Sequence, residues 1–122
     1  MVDFVSSTVL AADSLDAAFN QVAINAQTGT TYTLVLSDQG GLVTLANASA
    51  VTLTVPTNTS VAFPVGTQIG LLALGAGQVT VAGASGVTVQ ATPGLKIRAR
   101  YSLAVLIKIA TNEWVLAGDL SA

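Results

Sequence analysis

Fifty-seven consecutive residues, from Gln39 to Leu95, carry no charged side chain, and this stretch constrains the fold more than any other feature of the chain. Thr, Gly, Asn and Pro interrupt it every few positions, so it never reaches the roughly 18 consecutive apolar residues that a membrane-spanning helix needs. Its apolar residues alternate with small or polar ones, which predicts short β-strands. A β-domain with so little charge has faces and strand edges that favour burial against other copies or a larger assembly.

Composition excludes several classes of function. With 52% hydrophobic residues and a mean hydropathy of +0.71, the chain is expected to be folded and not disordered. The net charge of −2 provides no basic surface for nucleic acid. His and Cys are absent, which removes the commonest general base, a frequent metal ligand and any thiol nucleophile. The six carboxylates are scattered over termini and turns, so we expect no enzymatic activity, no cofactor and no metal site.

The first 26 residues are predicted to form an N-terminal docking arm and one short helix, separate from a β-domain over residues 27–122. Asp13 and Ser14 have the character of a helix N-cap, and apolar residues from Leu15 to Ala26 follow helical spacing. This pattern predicts about three helical turns ending before Thr28. The preceding arm has Asp3 where a signal peptide would carry a basic residue, so we expect the chain to stay in a cytoplasm until assembly. The apolar side chains of the arm are Val2, Phe4, Val5, Val9 and Leu10.

Residues from Thr30 onward show the two-residue period of strands. A Val-Thr-Leu or Val-Thr-Val theme recurs at Val43, Val51, Val79 and Val87, but its uneven spacing predicts related strands and not a solenoid repeat. The last two copies are predicted to form a hairpin. A long strand over residues 97–109, with a bend near Ser102, and a final strand over Trp114–Leu116 complete the pattern. We therefore expect an all-β fold of about eight short antiparallel strands, as in a small sandwich, jelly roll or barrel.

Two sets of residues are candidates for contact with a partner. Lys96, Arg98 and Arg100 alternate along one predicted strand, where they would either meet an acidic partner or an anionic glycan, or protect a strand edge from aggregation. Tyr101 and Trp114 would either stack on a sugar or anchor the core, and aromatic residues this scarce favour the core.

An ordered series of motifs runs through the predicted β-domain, at Gln27–Leu34, Val51–Pro56, Phe63–Ile69, Gly86–Val89, Tyr101–Ser102, Leu106–Lys108 and Thr111–Leu120. Together these motifs resemble a β-rich module of tailed-bacteriophage structural proteins, which occurs in tail fibres and in capsid-associated head-fibre or decoration proteins. The resemblance covers roughly Asn25 to Leu120, and residues 1–24 have no part in it.

The resemblance implies a virion structural protein that acts as a homotrimer. Within that class, we expect a capsid decoration (cement) or head-fibre protein, assembled in the host cytoplasm and located on the capsid surface. Val2, Phe4, Val5, Val9 and Leu10 would dock on the major capsid protein. The alternative is a tail-fibre module that binds a host-surface glycan through Tyr101, Trp114 and the basic residues. No nucleic acid or membrane partner is expected.

Overall fold

A computed structural model describes residues 21–122 of the chain. Its regular elements are β-strands and one 3₁₀ turn at Leu36–Asp38, so the all-β prediction is confirmed. The strands are β1 (Ile24–Gln27), β2 (Thr31–Thr33), β3 (Leu42–Leu45), β4 (Val51–Val55), β5 (Gln68–Ala73), β6 (Val79–Gly83), β7 (Thr88–Ala91), β8 (Lys96–Ile97), β9 (Leu103–Ala110), β10 (Glu113–Gly118) and β11 (Leu120–Ser121).

The first six strands alternate between two sheets. Each pair of consecutive strands, one in each sheet, forms one coil, so that β1–β2, β3–β4 and β5–β6 are three successive coils. Sheet A has the strand order β1-β3-β5-β9-β10-β7, and sheet B has the order β11-β8-β6-β4-β2. Successive coils stack in parallel: Leu42 of β3 pairs with Gly70 of β5, and Val51 of β4 pairs with Val79 of β6, an offset of 28 residues in both sheets. The two copies of the Val-Thr theme at Val51 and Val79 therefore mark equivalent positions of neighbouring coils, with Thr52 paired to Thr80.

The strands after the coil close its far end with antiparallel pairing. In sheet A, β9 lies antiparallel to both β5 and β10, while β10 lies parallel to β7. In sheet B, β8 lies antiparallel to β6 and β11. Both sheets contribute to a single buried cluster, whose largest members are Trp114, Leu34, Leu45, Leu53, Ile69, Leu71, Ile97, Leu106 and Leu116.

Parallel stacking contradicts two sequence predictions, the antiparallel sheet and the rejection of a solenoid. Five of the nine strand pairings in residues 21–122 are parallel, and the stacking of the first six strands is solenoid-like. The repeat was hidden because the connections differ in length. Ile24 pairs with Leu42 at an offset of only 18 residues, whereas later coils include a long excursion between β4 and β5. Strand register is conserved between coils although loop length is not.

Glycines at one corner of the coil allow its turns to stack closely. A Cβ added to Gly77 would overlap the carbonyl oxygen of Ser49 in the preceding coil. A Cβ added to Gly75 would overlap the backbone of Asn47 in the same way. These glycines are therefore required by backbone contact between coils.

The helix prediction is wrong where the structure tests it. Ile24–Gln27 is a strand at the edge of sheet A, parallel to β3, and the residues of the helix up to Asn20 lie outside the described part of the chain. Ile24 and Ala26 alternate with Asn25 and Gln27 along this strand, so the segment also fits the two-residue period of a strand. The β-fold thus includes residues that the sequence assigned to the N-terminal region.

The predicted hairpin is also wrong. The copies at Val79 and Val87 belong to different sheets, because the chain turns at Ala84–Val87 and crosses from sheet B to sheet A. Its Gly-rich connection is typical of a hairpin loop, but the same residues serve a crossover between sheets.

The long strand predicted over residues 97–109 is divided into two strands. The bend near Ser102 is confirmed, but it separates β8 in sheet B from β9 in sheet A. Tyr101 has a φ of 71°, in the left-handed region, and this corner shifts the alternation of the side chains. Ile97 is buried before the corner, whereas Ala104 and Leu106 are the buried residues after it.

Candidate interaction surfaces

Trp114 and Tyr101 lie in opposite environments. The Trp114 side chain is 1% exposed and meets the ring of Phe63 edge to face, with the ring centroids 5.5 Å apart. Its prediction as a core anchor is confirmed. Tyr101 is 66% exposed, so the core prediction is wrong for this residue. A sugar platform built from both rings is therefore excluded, because Trp114 offers no accessible face.

A buried lysine that the sequence did not single out lies beside Trp114. Lys108 is 2% exposed, and its Nζ donates hydrogen bonds to Asn58 Oδ1 at 2.6 Å and to the Phe63 carbonyl oxygen at 2.7 Å. The ammonium lies 6.0 Å from the centroid of the Trp114 ring. These contacts hold the excursion between β4 and β5 onto the core. No sequence signal marks this burial, because the alternation over residues 97–109 places Lys108 on the side opposite Ile107 and Ile109.

The three basic residues predicted as one stripe are distributed over β8 and the corner that follows it. Lys96 lies in β8, while Arg98 and Arg100 lie beyond its end. Arg98 forms a bidentate ion pair with Asp119: the distance from Nε to Oδ1 is 2.7 Å, and that from Nη2 to Oδ2 is 2.8 Å. The Asp119 carboxylate also accepts a hydrogen bond from Ser102 Oγ at 2.7 Å. The hydrogen bond from Arg98, followed by that from Ser102, lowers the pKa of Asp119 to about 2.

Arg100 and Tyr101 form an exposed pair, which we call the Arg100–Tyr101 corner. Arg100 Nε donates to the Leu74 carbonyl oxygen at 2.9 Å, and the guanidinium lies 5.0 Å from the centroid of the Tyr101 ring. The Tyr101 backbone N–H donates to the Ala73 carbonyl oxygen at 2.6 Å. These bonds hold a guanidinium over the ring of an exposed tyrosine, as a cation–π pair at the surface.

The outer surface of sheet A is mainly apolar. Strand alternation places its residues opposite the buried ones. Register aligns them across neighbouring strands, as in the row formed by Ile24, Leu42, Gly70 and Val105. Gln68, Thr44 and Glu113 lie on the same side of their strands, so the surface also carries neutral polar groups and one carboxylate. Its apolar members, which we call the apolar face, are Ile24, Ala26, Leu42, Gly70, Leu72, Leu103, Val105, Ile107, Ile109, Val115 and Ala117.

The outer surface of sheet B is chemically different, and we call it the hydroxyl face. Thr31, Thr52 and Thr80 lie in register on three parallel strands, and Lys96 pairs with Thr80 on the next strand. Thr33 and Thr54 form a second row beside them. Aligned hydroxyl groups on a pleated surface are readily solvated, so this face has no need of a cover.

Asp38 lies at the centre of a hydrogen-bond network in the first coil. Its carboxylate accepts from Tyr32 Oη at 2.6 Å, Asn25 Nδ2 at 2.9 Å and the Val35 backbone N–H at 3.0 Å. Burial, together with the hydrogen bond to Asp38, raises the pKa of Tyr32 to about 12. Every oxygen of Asp38 is thus engaged in joining β1, β2 and the 3₁₀ turn, which is a structural role.

Residues 21–122 contain no cluster of three or more Asp, Glu, His or Cys side chains that could hold a metal ion. No helix in the same part of the chain is long and apolar enough to cross a membrane. Comparison with protein families, curated proteins and solved structures finds no significant match. The proposed docking residues Val2, Phe4, Val5, Val9 and Leu10 lie outside the described residues.

Proposed function

We propose that this chain is a virion structural protein: a homotrimeric capsid decoration or head-fibre protein that binds the major capsid protein and is not an enzyme. Its place would be the capsid surface, reached by assembly in the host cytoplasm. Within the all-β class, we propose a sandwich-like coil of two sheets in place of a jelly roll or barrel, because both sheets enclose one core.

The observation that carries the proposal is the position of the charge-free stretch. Residues 39–95 form β3 to β7 with their connections, so two successive coils (β3–β4 and β5–β6) and β7 reach the surface of the sheets without a charged side chain. Monomeric soluble proteins rarely expose contiguous apolar patches larger than a few hundred Å². A subunit that is permanently covered by its neighbours has no such restriction, which supports a role in assembly.

The proposed mechanism is mechanical. Apolar side chains of the arm, including Phe4 and Leu10, would bind a groove on the capsid shell. Each large side chain buried there would contribute about 1.5–3 kcal/mol. Trimers bound at junctions between capsid subunits would add this binding energy to the shell and resist internal pressure.

One observation favours the alternative of a tail-fibre module that binds a host-surface glycan. The Arg100–Tyr101 corner presents an aromatic ring, 66% exposed, next to a fixed guanidinium. This pair could stack on a sugar ring and pair with an acidic substituent of the glycan. The contact would not include Trp114, and Arg98 would be engaged by Asp119.

Binding of the purified full-length protein to undecorated capsids tests the proposal. We expect saturable binding that the double substitution Phe4→Asp and Leu10→Asp abolishes, because a carboxylate in an apolar groove is costly to desolvate. The matched control is Tyr101→Ala, which should bind capsids like the wild type. If the wild type ignores capsids and binds glycans in a Tyr101-dependent manner, the tail-fibre alternative replaces the proposal.

A further inference from the structure

We propose that residues 13–20 of this chain pack into a groove in the outer surface of sheet A, with the ring of Phe19 over Gly70. The groove has a volume of about 300 Å³, and we call it the Gly70 groove. The inference goes beyond the proposed function and does not depend on it. The side chains that line the groove include Val22, Leu42, Gln68, Leu103 and Val105.

The described part of the chain begins at the mouth of the Gly70 groove. Val22 is 59% exposed and belongs to the groove lining. The carbonyl oxygen of Ala23 accepts a hydrogen bond from the Leu42 backbone N–H at 2.9 Å, which holds this end of the chain against β3. Twenty residues of the chain precede Gln21. The residues directly before Gln21 therefore need no linker to reach the groove.

The floor of the groove is shaped to receive a large side chain. Gly70 has no side chain, and strand register places Leu42 and Val105 on either side of it. Leu103, which is 51% exposed, also lines the groove. An aromatic ring lying over Gly70 would contact branched apolar side chains on both sides, which is the packing that favours burial of a Phe.

The sequence before Gln21 supplies side chains in the right order. Leu15, Ala18, Phe19 and Val22 follow the i, i+3, i+4, i+7 spacing of one helical face. Since Val22 lies at the groove, helical turns that continue from it toward the N-terminus direct Phe19 and Ala18 to the same side. Ala17 lies on the opposite side of such a helix and would face water.

The length of the segment matches the width of the groove. Eight helical residues, 13–20, are about 12 Å long. The distance from β1 to β9, which are separated by β3 and β5, is three strand spacings or about 14 Å. A covalently attached segment does not lose the translational freedom that a separate partner loses on binding. It can therefore be held by a smaller surface than the ~800 Å² per partner of a stable interface between chains.

The polarity of the groove suits this segment. Gln68 is the one polar side chain in its lining, and Thr44 and Glu113 lie outside it. Asp13 and Asp16 lie off the helical face that carries Phe19, so neither carboxylate is buried when Phe19 enters the groove. Residues 1–12 would then leave the domain on the side of sheet A.

Thiol labelling of the full-length chain tests the inference. The chain has no cysteine, so Leu103→Cys places a single thiol at the Gly70 groove, and Thr52→Cys places one on the hydroxyl face. We expect a maleimide reagent to label position 103 at least tenfold more slowly than position 52. Adding Phe19→Asp should raise the labelling rate at position 103 at least tenfold, because a carboxylate is costly to bury. The matched control Ala17→Asp should leave both rates unchanged.

Two labelling results would overturn the inference. Equal rates at positions 103 and 52 would mean that the groove is open to solvent. Protection of position 103 that survives Phe19→Asp would mean that something other than residues 13–20 covers the groove, and loss of that protection on dilution would identify a second copy of the chain. Neither result bears on the capsid-binding test, which depends on Phe4 and Leu10.

An NMR measurement keeps the inference testable if Phe19→Asp fails to fold. We expect nuclear Overhauser effects between the ring of Phe19 and the methyl groups of Leu42 or Leu103 in the wild-type chain. Their absence would overturn the inference. Contacts seen only between differently labelled chains in a mixed sample would also overturn it, because a neighbouring copy would then supply the segment.

Discussion

Replacement of Trp114 by Ala should remove a large part of the stability of the fold. The side chain is 1% exposed, and truncating a buried Trp to Ala typically costs about 3–5 kcal/mol through lost transfer energy and the cavity left behind. Its edge-to-face contact with Phe63 contributes about 0.5–1.5 kcal/mol beyond buried area. Since neither Phe63 nor the anchored Lys108 can move far to fill the cavity, we expect about 4–5 kcal/mol.

Urea unfolding followed by circular dichroism measures this difference, at one fixed protein concentration because subunit association adds to apparent stability. Tyr101→Ala is the control: it removes an aromatic ring of similar size that is 66% exposed, and it should change stability by less than about 0.5 kcal/mol. Trp114 is the only tryptophan, so wild-type emission should be blue-shifted and resistant to quenchers. A cost below about 1 kcal/mol with an intact fold would refute the assignment of Trp114 to the core.

Three further perturbations follow from the structure. Gly77→Ala should destabilise the coil strongly in thermal unfolding, whereas Gly29→Ala should be tolerated because its nearest non-neighbouring atom would lie 3.7 Å from the new Cβ. Asp119, with its pKa lowered from 3.8 to about 2, stabilises the fold above pH 3.8 and loses that contribution as the pH falls toward 2. Carboxyl NMR titration should show this low midpoint, and Arg98→Gln should raise it. Tyr32, with its pKa raised from 10.0 to about 12, stabilises the fold below pH 10 and loses that contribution as the pH rises toward 12. Tyrosinate absorbance of the wild type minus that of Tyr32→Phe measures this titration, and a midpoint near 10 would contradict the effect of the hydrogen bond to Asp38.

Strand positions were readable from the sequence where alternation was local. The Val-Thr themes at Val43, Val51 and Val79 each lie in a strand, and β10 lies where the alternation around Trp114 predicts a final strand. Each of these depends only on side-chain period and on residues that stop a strand. The pairing of the strands could not be predicted from the sequence. The alternation of residues around Val51 and Val79 is equally consistent with a parallel and an antiparallel neighbour.

The candidate surfaces, too, could be predicted from the sequence only in part. The scarcity of charge predicted that some surface needs a partner, but the side of β9 that faces outward depended on the corner between β8 and β9. A strand continued through residue 101 would have placed Leu103 and Ile109 inside with Ile97. Residues 98–102 instead carry the chain from sheet B to sheet A, with a positive φ at Tyr101, and after this corner Lys108 is buried and Leu103 is exposed. Local residue preferences do not predict this corner.

The 28-residue offset shared by both sheets gives the fold a way to change length in evolution. Duplicating one such segment would insert one parallel strand into each sheet, in register, without altering the antiparallel strands that close the far end. Glycines equivalent to Gly75 and Gly77 would be needed at the new corner, and they would be copied with the segment. Each duplication would lengthen both outer surfaces by about 4.8 Å, so descendants of this chain could span different distances with the same parts.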